Sequence, residues 1–332
     1  MRSSSTLWRL LAALFALSLV AAACGDDDGE TTDTTADEGS DTTGEGGASL
    51  EGASFTVGSK EFTEQLVLGA ITKQVLEDAG AEVGDVEELV GSAVVRTALT
   101  DGEIDMYWEY SGTGWIDHLG NTDPVVGEQE QYEAVRDADL EANNITWLEP
   151  APFNNTYSIA IATERAEEFG LSSLSDLSAF AEEDPDQFSL CAAAEFLSRD
   201  DGLPGLEEAY GFSFDAGGGI SELELGLVYT STDEGDPCTF GEVFATDGRI
   251  AALDLTVLED DEQFFASYLP SLTIGEGVDE AQIEALRTLF APVSEALDAE
   301  TITQMNATVD VDGEDPEDVA STFLEEQGLV GG

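Results

Sequence analysis

Apolar side chains recur along this chain in two rhythms. From Phe62 to Ala79 they fall at Phe62, Leu66, Ala70, Ile71, Val75 and Leu76, then stop at Gly80. That spacing predicts an amphipathic helix with a glycine stop. Short apolar runs at Ser54–Val57, Val86–Val90 and Ile104–Trp108 predict strands, with a Ser-capped helix over Ser92–Leu99 between the last two. Tyr157–Ala162 is an apolar run broken only by Ser158 and predicts a buried strand. Helical spacing follows at Glu164–Phe169 and Leu174–Ala181, a strand at Gln187–Ala193, and helices around Glu195–Ser198 and Leu203–Tyr210. Ile250–Leu258 predicts a further strand, Ala281–Leu297 a helix interrupted at Pro292, and Asp315-Pro316-Glu317-Asp318 the start of a final helix. Alternation of strand and helix predicts βαβ units, an α/β class and a largely parallel sheet.

The beginning of the chain follows a different pattern. Arg2 and Arg9 precede an apolar run, Leu10–Ala23, too short to span a bilayer. Ala21-Ala22-Ala23-Cys24 resembles a bacterial lipobox, so residues 1–23 read as a lipoprotein signal peptide and Cys24 as the lipidated residue. Residues 24–52 are Asp, Thr, Glu, Gly and Ser with almost no apolar side chain, and read as a disordered acidic tether. The expected location is the outer face of a bacterial cell membrane, held by lipid. About 280 residues remain, enough for two lobes.

Charge narrows the function. Asp and Glu number 72 against 10 Lys and Arg, a formal net charge of −62. Such a surface repels the phosphate backbone, so nucleic acid is not an expected partner. Self-repulsion on this scale fits surroundings where salt screens it, and predicts a surface adapted to high salt. Three cysteines are present. With Cys24 carrying lipid, Cys191 and Cys238 suggest one disulfide; two buried thiols are the alternative.

Catalytic motifs are scarce. With His118 the one histidine, no Cys/His zinc site can be built, and no nucleophile elbow accompanies it. His118 is read as a surface or structural residue. Gly217-Gly218-Gly219 lacks the Lys-Ser/Thr of a phosphate loop. The acid run Asp310, Asp312, Glu314, Asp315 has its glycine, Gly313, out of place for a calcium loop, and helix capping is the better account. No metal, cofactor or enzymatic activity is expected.

A binding site remains. Val57-Gly58-Ser59-Lys60-Glu61-Phe62-Thr63-Glu64-Gln65 supplies a cation at a strand-to-helix turn. Asp105-Met106-Tyr107-Trp108-Glu109-Tyr110-Ser111-Gly112-Thr113 supplies aromatics at another turn. A molecule positive at one end and negative at the other needs both. A quaternary ammonium has no N–H to donate and is held by the faces of aromatic rings, while a carboxylate needs Lys, Arg or hydroxyls.

Together these segments closely resemble the glycine betaine/choline-binding proteins that serve ABC importers, a family of type II periplasmic binding proteins. The resemblance covers nearly all of the chain after the tether. It implies a cation cage of Tyr110 (in Glu109-Tyr110-Ser111-Gly112-Thr113), Tyr157 (in Phe153-Asn154-Asn155-Thr156-Tyr157), Phe244 and Tyr268. Phe244 stands where several family members carry Tyr, which keeps the ring and loses a hydroxyl. Lys60, Thr113 and Arg199 are implied for the carboxylate, the last in Arg199-Asp200-Asp201-Gly202-Leu203-Pro204, with Gln65 and Asn155 as polar neighbours.

The fold so implied has two lobes with the ligand cleft between them. Lobe I spans 53–153 and 264–332, lobe II spans 154–263, and the hinge crossings lie near Pro152–Asn155 and Glu262–Phe265. The implied function is capture of a quaternary ammonium osmoprotectant, glycine betaine or a related betaine, by a monomer that delivers it to a permease and its ATPase. A choline-preferring protein is the nearest alternative; a sensor or an enzyme on the same fold is more remote.

Overall fold

Strand Tyr157–Ala162 runs antiparallel to both of its neighbours, Leu255–Val257 and Phe240–Phe244, at one end of a five-stranded sheet. Beyond Phe240–Phe244 lie Ser189–Ala192 and Gly219–Glu222, paired in parallel. The computed structural model describes residues 49–331. The signal peptide, Cys24 and the tether up to residue 48 therefore lie outside the described residues.

A second group of strands has the same character. Met106–Tyr110 pairs antiparallel with Pro270–Ile274, which in turn pairs with Thr146–Trp147. Gly58–Lys60 pairs in parallel with Glu87–Leu89, and a Val57–Met106 bridge ties the two ladders together. The sheets are thus mixed, not largely parallel. The reversal falls on Tyr157–Ala162 and Pro270–Ile274, the strands that follow each passage of the chain from one group to the other.

The two passages run side by side. Tyr268 N–H donates to Asn154 Oδ1 over 2.8 Å, and Asn155 N–H donates to the Tyr268 carbonyl over 3.2 Å. One apolar core lies under the first group, where helix Thr63–Asp78 packs with Trp108, Leu272, Phe290, Ile302 and Phe323. A second core, rich in Phe, lies under the five-stranded sheet, where Phe188 and Phe214 stack at 4.2 Å. Cys191 and Cys238 are joined as a disulfide in this second region, with 5.5 Å between Cα atoms and both side chains fully buried.

Local differences from the sequence pattern have physical reasons. Ile250–Leu258 is a helical turn, Arg249–Ala252, followed by the short strand Leu255–Val257, because Asp254 sits at φ 51° and breaks the run. Helix Glu280–Ala296 continues through Pro292 without interruption. Its start is fixed by a capping box in which Asp279 accepts from Gln282 N–H. Helix Glu128–Asn143 has no counterpart in the pattern, since its buried apolar side chains are only Tyr132 and Val135. Two members of the acid run have structural partners: Asp315 caps helix Pro316–Gln327, and Asp310 accepts from the distant Thr63 Oγ1 over 2.6 Å.

Candidate functional site

Five aromatic rings converge where the two groups of elements meet. Phe244 and Tyr157 are register partners on adjacent strands, so their side chains leave the sheet side by side, with ring centroids 4.9 Å apart. Tyr268, on the returning passage, presents its edge to Tyr157 at 5.5 Å and 89°. From the opposite side comes Phe62, at the N-cap of helix Thr63–Asp78, stacked on Phe244 at 5.2 Å and near Tyr110 at 6.2 Å. Tyr110 ends its strand, and the turn after it holds Gly112. A Cβ there would stand 2.7 Å from the Tyr268 ring, so only glycine lets that ring close on the turn.

These rings wall a cavity of about 60 Å³. Of the residues singled out from sequence, Lys60, Tyr110, Thr113, Asn155, Tyr157, Phe244 and Tyr268 reach the wall. Arg199 and Gln65 do not. Arg199 lies behind the wall, clamped on Asp201 at 2.8 and 2.6 Å and on Glu195 at 2.8 Å, with Thr113 Oγ1 at 3.3 Å. Gln65 donates to the Tyr110 hydroxyl over 3.1 Å and so braces a cage ring from outside.

Several wall and supporting residues carry no sequence signal. Phe62 reads as an ordinary helix position. Glu64, Glu109, Glu195, Asp201 and Glu242 are lost among 72 acids, although Glu64, Glu109 and Asp201 stand inside the quoted motifs. Glu109 is fully buried and collects Lys60 Nζ at 2.7 Å, the Tyr107 hydroxyl at 2.8 Å and His118 Nε2 at 2.7 Å. Burial opposes its charge, but the Lys60 ammonium and the His118 ring hold it far below the usual carboxylate range. His118 is therefore a half-buried residue whose ring is 4% exposed and holds Glu109. Burial disfavours its cationic form, yet Asp117 and Glu109 together raise its pKa.

Other carboxyl groups tie one side of the cavity to the other. Glu195, from the five-stranded-sheet side, accepts from Ser92 N–H at 2.9 Å and Ser92 Oγ at 2.7 Å. Glu64 accepts from the Tyr110 hydroxyl, Asn155 Nδ2, Thr246 Oγ1 and Asn306 Nδ2. Burial pushes Glu64 up, and these four donors pull against that shift. Glu242 is buried, and burial pushes it up to about 8.

A two-lobed α/β frame with an aromatic cavity between its halves defines the substrate-binding proteins of importers, the type II periplasmic binding fold. The family model described as the substrate-binding domain of an ABC-type glycine betaine transport system matches residues 53–326, and the chain belongs to that family. It is 37% identical over 279 residues to the glycine-betaine-binding protein of Pseudomonas aeruginosa, covering 82% of this chain and 88% of that one. The ligand-free structure of YehZ from Escherichia coli superposes with a TM-score of 0.61 at 35% identity, over 84% of this chain and 99% of the other. A combined ergothioneine permease and binding protein of Helicobacter pylori is 32% identical over 84% of this chain and 49% of its own length. Among the described residues, no helix is long and apolar enough to cross a membrane.

Proposed function

We propose that this protein captures a quaternary ammonium osmoprotectant, glycine betaine or a related betaine, outside the cytoplasm and hands it to the permease of an ABC importer. The observation that carries this reading is the ring cluster Phe62, Tyr110, Tyr157, Phe244 and Tyr268 around one cavity. Ring faces are the groups that bind a cation lacking N–H. The relatives named for glycine betaine agree with it.

In this reading the lobes are 53–153 with the chain from 264 onward, and 154–263. Closure of one on the other completes the cage. Lys60 and Thr113 face the ligand's polar end, and Asn155 lies at the hinge. Arg199 acts at one remove, by holding Glu195 and Asp201, the latter bonded to the Tyr268 hydroxyl at 2.7 Å. Cys24 anchors the chain to the membrane, and the protein works as a monomer without metal or cofactor.

One observation favours a choline-type ligand as the second reading. Both cations near the cavity are already paired, Lys60 with Glu109 and Arg199 with Asp201 and Glu195. Calorimetric titration with glycine betaine, proline betaine, carnitine and choline, at low and molar salt, separates the two. Micromolar binding of a betaine with weaker choline supports the first reading. Choline binding alone supports the second, and no binding of any quaternary amine removes both.

A further inference from the structure

Glu242 sits at the middle of strand Phe240–Phe244, two positions before Phe244 and on the same face, and both line the cavity. Its residue is 1% exposed. One carboxyl oxygen, Oε2, accepts the Ala193 N–H over 2.7 Å. The other, Oε1, makes no hydrogen bond among the described residues, and the Glu242 side chain lines the cavity. Among the described residues no cation pairs with Glu242, in contrast to Glu109, which holds Lys60, and Glu195, which holds Arg199. We propose that Glu242 is a specificity-determining residue that donates a hydrogen bond from Oε1–H to the carboxylate of the bound betaine.

The assignment rests on the betaine reading above and answers its main difficulty. A ligand carboxylate entering this cavity finds Lys60 and Arg199 already neutralised. It needs a donor that adds no negative charge, and a neutral carboxylic acid is one. Oε2, as the acceptor from Ala193 N–H, is the carbonyl oxygen of such an acid, which leaves the proton on Oε1. The charged and titratable groups facing Glu242 are Glu195 and Arg199 from the adjacent helical turn, Tyr157 from the neighbouring strand and Lys60 across the cavity. Burial is the largest influence on Glu242 and Glu195 adds to it, while the Ala193 N–H and Arg199 oppose it; the balance keeps the acid neutral at pH 7. An O–H donor to a carboxylate makes a short, charge-assisted bond. Buried acids held neutral for this purpose are known from enzyme sites.

The test is titration of the protein and its Glu242→Gln and Glu242→Leu variants with glycine betaine and with tetramethylammonium, from pH 6.5 to 9.5. Tetramethylammonium fills the cage and has no carboxylate. In the parent protein, glycine betaine affinity should fall by about tenfold or more above pH 8, as Glu242 loses its proton. Tetramethylammonium affinity should not fall. Glu242→Gln keeps a donor, so it should bind glycine betaine within about fivefold of the parent at pH 7 and lose the alkaline decline. Glu242→Leu should lose about tenfold or more for glycine betaine and little for tetramethylammonium. Should the Leu variant fail to fold, the parent and Gln profiles decide. Flat glycine betaine affinity across this pH range in the parent overturns the assignment, as does a folded Leu variant with parental affinity. A parent protein that binds neither ligand overturns the cage reading and this assignment with it.

Discussion

The hydroxyl of Tyr110 donates to Glu64 Oε1 over 2.7 Å, and the same oxygen accepts Asn155 Nδ2 over 2.9 Å. The second oxygen of Glu64 takes Thr246 Oγ1 and Asn306 Nδ2. One carboxylate thus joins Tyr110, the chain passage at Asn155 and both sides of the cavity. Glu64→Ala leaves the Tyr110, Asn155 and Thr246 donors without an acceptor and Asn306 Nδ2 with the Thr246 carbonyl alone, and should cost about 2–4 kcal/mol of stability. Denaturant unfolding checks this, and titration should show weaker ligand binding, because the closed arrangement loses its central tie. A variant with parental stability and affinity would show the tie to be unimportant.

Phe62 stands in the cavity wall beside Tyr110 and Phe244, and the proposed reading makes it a cage ring. Phe62→Ala removes one cation-facing ring of five and should weaken quaternary ammonium binding by about threefold to thirtyfold. Phe62→Leu keeps the bulk and loses the ring, so both variants should fall together in calorimetry. Full affinity in the Leu variant would assign Phe62 to packing alone.

Arg199 stands behind the wall, so its removal acts on the wall. Arg199→Ala leaves Glu195 and Asp201 without their cation, and a broken buried pair costs roughly 3–5 kcal/mol. Glycine betaine and tetramethylammonium should lose affinity in similar proportion. Selective loss of glycine betaine would instead give Arg199 a direct part in carboxylate recognition.

The Glu109 cluster sets an acid limit. Its pKa is depressed in the folded state, so its contribution to stability is fully present above the unfolded carboxylate value, about 4.3. That contribution is lost as pH falls below that point toward the folded value. His118, shifted upward, behaves oppositely and is most favourable at low pH. Thermal melts from pH 3 to 7 should show a steep acid decline in the parent and a shallower one in Glu109→Gln, from a lower starting point. Parallel curves would remove Glu109 from the account.

Salt should matter in a calculable direction. With a formal net charge of −62, melting temperature should rise between 0.1 and 2 M potassium chloride, as the screening length falls from about 10 Å to below 3 Å. A flat response would refute adaptation to high salt.

What could be seen in the residues divides along physical lines. Strand Tyr157–Ala162 is legible because all six side chains are buried and all but Ser158 are apolar. Helix Glu128–Asn143 is not, because it buries Gln131 and Asp139 beside Tyr132 and Val135, and Asp139 is satisfied by Arg96 and Trp147. Pairing of that kind is long-range and leaves no periodic trace. In the site, Tyr110, Tyr157, Phe244 and Tyr268 stand out through their motifs, and the structure brings all four to one cavity. The working acids do not stand out. Glu64, Glu109 and Glu242 differ from the other Asp and Glu residues in burial and not in type, and burial is a property of the fold. Arg199 and Gln65 sit in matching motifs, but their depth behind the wall depends on partners that sequence spacing leaves open.

Phe62 and Phe244 stack face to face at 5.2 Å. A cation attracted to a ring sits within about 6 Å of its centroid, so one shared by both faces must spread this pair apart. Occupancy between these two rings is then an exchange, in which the guest replaces a contact they already make with each other. A methylated ammonium brings enough apolar surface to compensate. A hydrated potassium ion brings none and would have to shed its water as well. Under the proposed reading, a gap that its own rings keep closed discriminates against a cation of that kind.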